Sequence, residues 1–230
     1  MTSTPLTTSD ISVIIPTLNE EKNIAPLADQ IKGKVGEVII VDGGSTDNTV
    51  IVAKQAGLPV VEGPSCRGLQ LNLGAAASNG RVLLFLHADT SLPDGFGTDI
   101  VRLLSAKGST VGAFSLAVKD GTIAMKIIAA IANLRSTYLR LPYGDQAFFL
   151  TKDHFNDLGC FPQVEIMEDF IFIRQARKGG RVITLSKTVT TSARRWQRFG
   201  VLRTTIINQL MLIGHFIGIS PSKLASFYRR

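Results

Sequence analysis

Two apolar runs that end on acids constrain this chain more than any other feature: Val38-Ile39-Ile40-Val41 stops at Asp42, and Val82-Leu83-Leu84-Phe85-Leu86 runs into His87-Ala88-Asp89. Runs of aliphatic residues without polar alternation suit strands buried on both faces, as in the middle of a parallel sheet. The carboxyl ends of such strands open on one crevice, so acids far apart in sequence can converge there on one ligand. A third acidic station, Glu168-Asp169, lies far downstream. Three acids so placed suit a metal-bound nucleotide diphosphate.

The remaining punctuation supports that reading. Ile11 to Ile15 is a β-branched run ended by Pro16, and Asn19-Glu20-Glu21 opens a helix over about Lys22 to Lys32, its acids facing the positive end of the helix dipole. The strand Val38–Val41, a helix over Thr46 to Ala56 and a short strand Pro59–Val61 complete a βαβαβ order, a doubly wound signature. Further on, the spacing predicts helices over Gly68–Ser78, Asp99–Leu104, Ile123–Leu139 and Asp169–Lys178. Strands are predicted at Val82–Leu86, Val111–Val118, Phe148–Leu150 and Arg181–Leu185.

At 230 residues, 45% hydrophobic and 19% charged, the chain is long enough to bury one full core with at most a small appendage. Its two cysteines, Cys66 and Cys160, form neither a CxxC pair nor a zinc cluster. Residues 1–10 are polar and Ser/Thr-rich, without the basic start and apolar core of a secretory signal, and are expected to be a disordered end of a cytoplasmic protein. Ile206 to Ile219 is interrupted by Asn208, Gln209 and His215 and falls short of the roughly 18 to 20 apolar residues a membrane span needs.

Charge is divided unevenly. Residues 1–169 hold all 18 Asp and Glu against 13 Lys and Arg, whereas residues 170–230 hold 12 Lys and Arg and no acid. Such a basic end suits an anionic lipid surface, a phosphorylated substrate or nucleic acid, or simply solvates the last helices.

At the first station, the glycines of Asp42-Gly43-Gly44-Ser45-Thr46-Asp47 let the backbone approach a flat ligand, and Asp42 can accept from a base imide or a ribose hydroxyl. Asp47 reads as a cap for the helix that follows. No GxGxxG fingerprint is present, which argues against NAD or FAD. At the second station an extended backbone would put His87 and Asp89 on one side, two residues apart. One carboxylate plus diphosphate oxygens is a ligand set for Mg²⁺ or Mn²⁺. His87 is open to a structural reading as well.

These residues, with Val13-Ile14-Ile15-Pro16-Thr17-Leu18-Asn19-Glu20, resemble the family 2 glycosyltransferases over about Ile11 to Leu202. The resemblance implies a GT-A fold: a Rossmann-like, mostly parallel central sheet flanked by helices, with the catalytic domain at 11–200 and a basic, amphipathic helical segment at 201–230. It implies an inverting transfer from a nucleotide-diphosphate sugar, UDP- or GDP-linked, to an acceptor hydroxyl, assisted by Mn²⁺ or Mg²⁺. Pro16, Thr17, Asn19, Glu20, Asp42, Arg67, His87, Ala88 and Arg195 match the nucleotide-binding positions. Asp89 matches the retained carboxylate of the metal-binding DxD, whose first acid is His87 here. Asp169 matches the general base and Glu168 its neighbour. Asp145, Gln146 and Trp196 match the border of the acceptor pocket. Ser192 stands where processive relatives carry the Gln of a QxxRW box, which favours single transfer. The combination is similar to a small stand-alone bacterial subgroup labelled arsenosugar-biosynthesis glycosyltransferases.

The expected partners are the nucleotide sugar and a small-molecule or lipid-linked acceptor, with no nucleic acid. The 201–230 segment is expected to pack on the catalytic domain or on a second copy in a homodimer, or to lie peripherally on the inner face of a membrane. Two other classes stay open at this point. One is a sugar-phosphate nucleotidyltransferase, which would carry a Gly-rich basic loop where Pro16–Glu20 stands. The other is a non-catalytic protein that binds anions or membranes through its basic end.

Overall fold

The computed structural model describes residues 4–106 and 110–228. In chain order it contains β1 (Ile11–Thr17), α1 (Glu21–Ile31), β2 (Glu37–Asp42), α2 (Thr49–Gln55), β3 (Val60–Glu62), α3 (Arg67–Ala77), β4 (Val82–Phe85), β5 (Thr90–Ser91) and α4 (Phe96–Leu104). The second part adds β6 (Thr110–Val118), α5 (Ile123–Tyr138), β7 (Phe149–Thr151), α6 (Lys152–Asp157), α7 (Glu168–Gly179), β8 (Arg181–Thr191), α8 (Arg194–Phe199), α9 (Val201–Phe216) and α10 (Pro221–Tyr228). The strands join one sheet in the order β3-β2-β1-β4-β7-β6-β8-β5.

The two ends of this sheet are built differently. From β3 to β4 every pairing is parallel, and β1 lies in the middle with Ile11, Val13, Ile14 and Ile15 wholly buried. Each such side chain contributes about 1.5–3 kcal/mol by leaving water, which is why an uninterrupted apolar run settles in this position. From β4 onward the sheet is mixed: β7 is antiparallel to both β4 and β6, β6 is parallel to β8, and β5 is antiparallel to β8. The expectation of a mostly parallel sheet is thus met fully only in the first half.

One apolar cluster lies on each face. Ile24, Leu27 and Ile31 of α1, Phe96 and Ile100 of α4, and Met125, Ala129 and Ala132 of α5 cover one side. Leu71 and Ala75 of α3, Phe155 of α6 and Phe172, Ile173 and Ala176 of α7 cover the other. Gly74 makes the second contact possible, because a Cβ there would stand 2.3 Å from Ile14 Cγ2. The close seat of α3 sets the position of its first residue, Arg67.

The sequence did not announce β5, α6 or α8. Strand β8 also runs six residues past the expected Leu185, with an irregularity: Phe114 pairs with Leu185 and Ser115 with Thr188. Lys187, in the bulged-out step, reaches the Asp94 carbonyl at 2.8 Å and Asp99 at 2.6 Å. The expected disorder at the N-terminus is corrected for residues 4–10, the rest lying outside the described residues. The Arg81 guanidinium donates to the carbonyls of Thr4 and Pro5 at 2.8 and 2.9 Å and to the Asp10 carboxylate at 2.8 and 3.0 Å. That hydrogen bond, more than any other contact, holds the Asp10 carboxyl below the usual carboxylate range.

Candidate active site

The loops past β1 and β2 form a tightly bonded frame. Thr17 and Asp42 are register partners at the ends of their strands. The Asp42 carboxylate accepts from Thr17 Oγ1 at 3.1 Å, from the amides of Gly44 and Ser45 at 2.9 and 2.8 Å, and from Ser45 Oγ. A carboxylate offers about four lone-pair positions, so the loop uses all of them, and Asp42 is 3% exposed. Asp42, expected to accept from a base imide or a ribose hydroxyl, here folds the Gly43-Gly44-Ser45 turn. Gln70 of α3 seals the frame from beneath, donating to the carbonyls of Thr17 and Val41 at 3.0 and 2.8 Å.

Asn19 joins the two loops. With φ at +57°, it donates from its backbone to Ser45 Oγ at 2.9 Å and accepts the Thr46 amide at 2.8 Å. Asp47 accepts from the amide and hydroxyl of Thr49 at the start of α2, the capping role its position suggested, and also from the Glu21 amide at 3.3 Å. Pro16 pairs with Val41 inside the sheet, so it shapes the strand end and adds no polar group.

Glu20 points away from this frame. Arg194, the first residue of α8, grips it with two hydrogen bonds of 3.1 and 2.6 Å, and the same guanidinium lies 3.5 Å from Asp89 Oδ2. Burial raises the Asp89 carboxyl above its ordinary value and Glu20 adds to the rise, while Arg194 pulls it back. Of the Arg194-Arg195 pair the sequence favoured Arg195, yet it is Arg194 that reaches the acids. Neighbours on a helix point about 100° apart, and Arg195 turns the other way, its guanidinium 4.1 Å from the centre of the Tyr228 ring of α10.

His87 and Asp89 part company as well. Residues 87–90 form a turn closed by a 3.1 Å bond from the Thr90 amide to the His87 carbonyl. The extended backbone that would have aligned the two side chains is therefore absent. Ala88 is buried in the core and offers no ligand. His87 faces a second group of residues, and burial, aided by Arg67, pushes its pKa down to about 3, which leaves a neutral imidazole at pH 7.

That group forms a narrow cleft lined by Arg67, His87, Gly144, Glu168 and Asp169 over a floor of Leu71, Phe85, Phe148 and Phe161. Met167, at φ +68°, turns the chain so that Glu168 and Asp169 open α7. Asp169 is oriented by the Gly144 amide at 2.8 Å to Oδ2 and by the Phe170 amide at 2.7 Å to Oδ1. Gly144 fits between two side chains: a Cβ on it would lie 3.2 Å from Asp169 Oδ2 and 3.3 Å from His87 Nε2. Arg67 stands 3.7 Å from Glu168, whose carboxyl is raised by burial and by Asp169 and drawn back by Arg67. The charge of Arg67 is felt at His87, Asp89, Asp145, Glu168 and Arg195, so it links the second and third acidic stations.

Two expected acceptor residues belong to the framework. Gln146 is wholly buried and donates to the Phe114 carbonyl and Ser136 Oγ at 2.9 and 3.1 Å. Trp196 packs against the core, with its indole N–H buried and unpaired. Asp145 is different. One of its oxygens is buried without a hydrogen-bond partner, and burial, reinforced by Asp169 and opposed by Arg135, pushes its pKa up to about 6.

Among the described residues no three His, Cys, Asp or Glu side chains gather as a ready-made metal cage. Asp89 nevertheless fits a divalent cation, since it supplies one hard oxygen donor and Mg²⁺-type sites commonly complete their shell with water and substrate phosphates.

Comparison with known proteins identifies the family of the chain. The family model for glycosyl transferase family 2 matches residues 12–162, more than half of the chain. The chain belongs to glycosyl transferase family 2. Among curated relatives, glucosyl-3-phosphoglycerate synthase of Mycolicibacterium smegmatis is 35% identical over 97 residues, covering 36% of this chain and 32% of the relative. An uncharacterised glycosyltransferase of Rickettsia felis is 46% identical over 54 residues, or 24% of this chain and 19% of the relative. The chain thus spans about a third or less of the curated relatives it matches.

The fold is GT-A, as in solved glycosyltransferases. S. aureus TarS 1–349 superposes with a TM-score of 0.61 at 21% identity, covering 84% of this chain and 63% of that one. The mannosyltransferase PcManGT of Pyrobaculum calidifontis, in complex with GDP-Man and Mn²⁺, gives 0.61 at 24% identity, with 79% and 56% covered. Glucosyl-3-phosphoglycerate synthase of Mycobacterium tuberculosis, in complex with Mn²⁺, UDP and glucosyl-3-phosphoglycerate, gives 0.56 at 23%, with 79% and 70% covered.

Proposed function

We propose that this chain is an inverting glycosyltransferase that moves a sugar from a UDP- or GDP-sugar to an acceptor hydroxyl by single, metal-assisted displacement, with Asp169 as general base. The observation that carries this reading is the cleft in which a carboxylate oriented by the Gly144 amide stands among Arg67, Glu168 and a neutral His87. Displacement at an anomeric carbon needs a base on the acceptor side and positive charge near the leaving diphosphate. Asp169 takes the acceptor proton as the hydroxyl attacks and becomes acidic. Arg67, held by Glu168, supplies a guanidinium, a group suited to phosphate oxygens.

In this reading His87, which carries no charge at pH 7, gives or accepts a hydrogen bond at a sugar or acceptor hydroxyl. Asp89 would hold the divalent cation, Mn²⁺ or Mg²⁺, whose contribution when bound is to neutralise charge building on the departing diphosphate. The UDP, GDP-Man and Mn²⁺ of the structural relatives support this donor and cation class. The acceptor is a small molecule or a lipid-linked group.

The test pairs turnover with binding. Donor-dependent release of UDP or GDP should fall about 10²- to 10⁴-fold in Asp169→Asn, while the melting-temperature rise given by the nucleotide with Mn²⁺ is retained. Wild-type turnover in Asp169→Asn overturns the assignment.

A further inference from the structure

Two helices carry the same unpartnered apolar pattern. On α5, Ile123, Ile127, Ile131, Leu134 and Tyr138 are 55–78% exposed. On α9 and just past its end, Leu202, Ile206, Leu210, Ile213 and Ile217 are 43–74% exposed. Both sets follow steps of four, four, three and four residues, which keeps each on a single stripe of its helix. The opposite faces are occupied: Met125, Ala129 and Ala132 of α5 lie in the main core, and Met211 of α9 packs with Met167 and Phe170. The stripes are therefore surplus to what the fold buries.

The segment that leaves α5 shares a cluster with α9. Leu141 and Tyr143, in the segment that leaves α5, pack with Met211 of α9, Leu224 of α10, and Met167 and Phe170 at the start of α7. The same start of α7 carries Asp169, so the cluster on which α9 packs adjoins the cleft. Phe199 of α8, Phe216 of α9 and Phe227 of α10 are each at least 43% exposed as well.

Charge decides what such a surface fits. Residues 121–144 and 170–230 contain no Asp or Glu. Lys126, Arg140, Arg198 and Arg203 are exposed beside or at the ends of the stripes. A second copy would bring the same cations to the contact with no acid on either helix to meet them. An anionic lipid surface answers both properties, since apolar side chains enter the acyl boundary and basic ones meet the headgroups. Neither helix is long and apolar enough to cross a membrane. We propose that α5 and α9 together form a peripheral docking face for an anionic lipid bilayer, which sets the catalytic cleft beside the membrane surface. This goes beyond the proposed chemistry and stands whether or not Asp169 is the base.

Vesicle flotation of the full chain, without nucleotide, tests it on phosphatidylcholine vesicles with and without about one third phosphatidylglycerol. The expected result is flotation with the anionic vesicles, none with phosphatidylcholine alone, and loss as salt is raised from 0.1 to about 0.5 M, where screening shortens the reach of the charges. Ile127→Glu/Ile131→Glu and Ile206→Glu/Ile213→Glu, all at exposed positions, should each cut the floated fraction at least fivefold while far-UV circular dichroism stays unchanged. The proposal is overturned if the wild-type chain stays at the bottom with anionic vesicles, or if both variants float as it does. It is also overturned if the wild-type chain is a stable dimer by light scattering and the variants are monomers, which would assign the face to a second copy. Running Asp169→Asn in parallel, expected to float as wild type, separates this result from failure of the catalytic reading.

Discussion

The loops past β1 and β2 and the cleft beside α7 are both rich in acids, yet they use them in opposite ways. In the first region Asp42, Asp47 and Glu21 accept backbone amides and hydroxyls, some from their own loop and some from the opposing one, and the bonds are short and numerous. In the second, Asp145 has an oxygen with no partner, Glu168 meets Arg67 only at 3.7 Å, and burial raises both carboxyls. Acids of the first kind fix geometry; in the second region Asp169 is oriented by two amides, while Asp145 keeps an oxygen that no donor reaches. Strain follows both regions: Asn19, Ala147 and Met167, three non-glycine residues with φ between +51° and +68°, flank them. A left-handed residue costs roughly 1–2 kcal/mol, so these turns persist because the surrounding contacts over-determine them.

This contrast can be broken by experiment, and the largest effect should come from the cleft. Gly144→Ala places a methyl group against Asp169 Oδ2 and His87 Nε2, both closer than 3.4 Å. Displacing an oriented base by a few tenths of an ångström should lower kcat about 10- to 100-fold, with little change in melting temperature. Steady-state kinetics beside calorimetry will check this, and a variant that loses stability but keeps kcat would place Gly144 in the framework instead.

The framework should respond in stability. Asp42→Ala removes the acceptor for two amides and two hydroxyls. Leaving such groups unmatched costs about 1–3 kcal/mol, which for a domain of this size lowers the melting temperature by about 2–4 °C per kcal/mol. Donor affinity should weaken as a consequence of loop disorder. If stability is unchanged while nucleotide binding vanishes, Asp42 is a ligand contact after all.

The smallest effect, and the one that titrates, belongs to Asp145. Its folded pKa of about 6 lies above the ordinary value of 3.8, so between those pH values the folded chain holds a proton that the unfolded chain has lost. Stability therefore falls as pH rises through this window, and the penalty is complete above pH 6. Asp145→Asn removes the penalty. It should raise stability by up to about 3 kcal/mol at pH 8, a difference that disappears near pH 4. Melting curves at pH 4, 6 and 8 suffice, and a pH-independent difference would sink the assignment of a raised carboxyl.

Much of the framework was legible in the sequence because its signals are local. A buried strand announces itself by an unbroken apolar run, as in β1, β2 and β4, and Asp47 two residues before Thr49 marks a helix start. The cleft was legible in part: Arg67, His87, Glu168 and Asp169 were singled out and lie together. Arg194 and Gly144 stood inside noted clusters but without a role of their own. An arginine one position from another carries no local mark of which way the helix turns it, and Gly144 matters only for what lies 3.2 and 3.3 Å away on two other elements.

By itself the sequence determined the β1–β4 half of the sheet, the acids at its edge and the uneven charge, since each depends on residue type and near neighbours. Tertiary structure alone decided that Asp42 is bonded by its own turn, that His87 and Asp89 face different partners, and that Arg194 bridges Glu20 to Asp89. The physical reason is the same in each case. A carboxylate's role is set by which donors surround it and how far water is excluded, and those are properties of chain segments that meet only when the whole domain has packed.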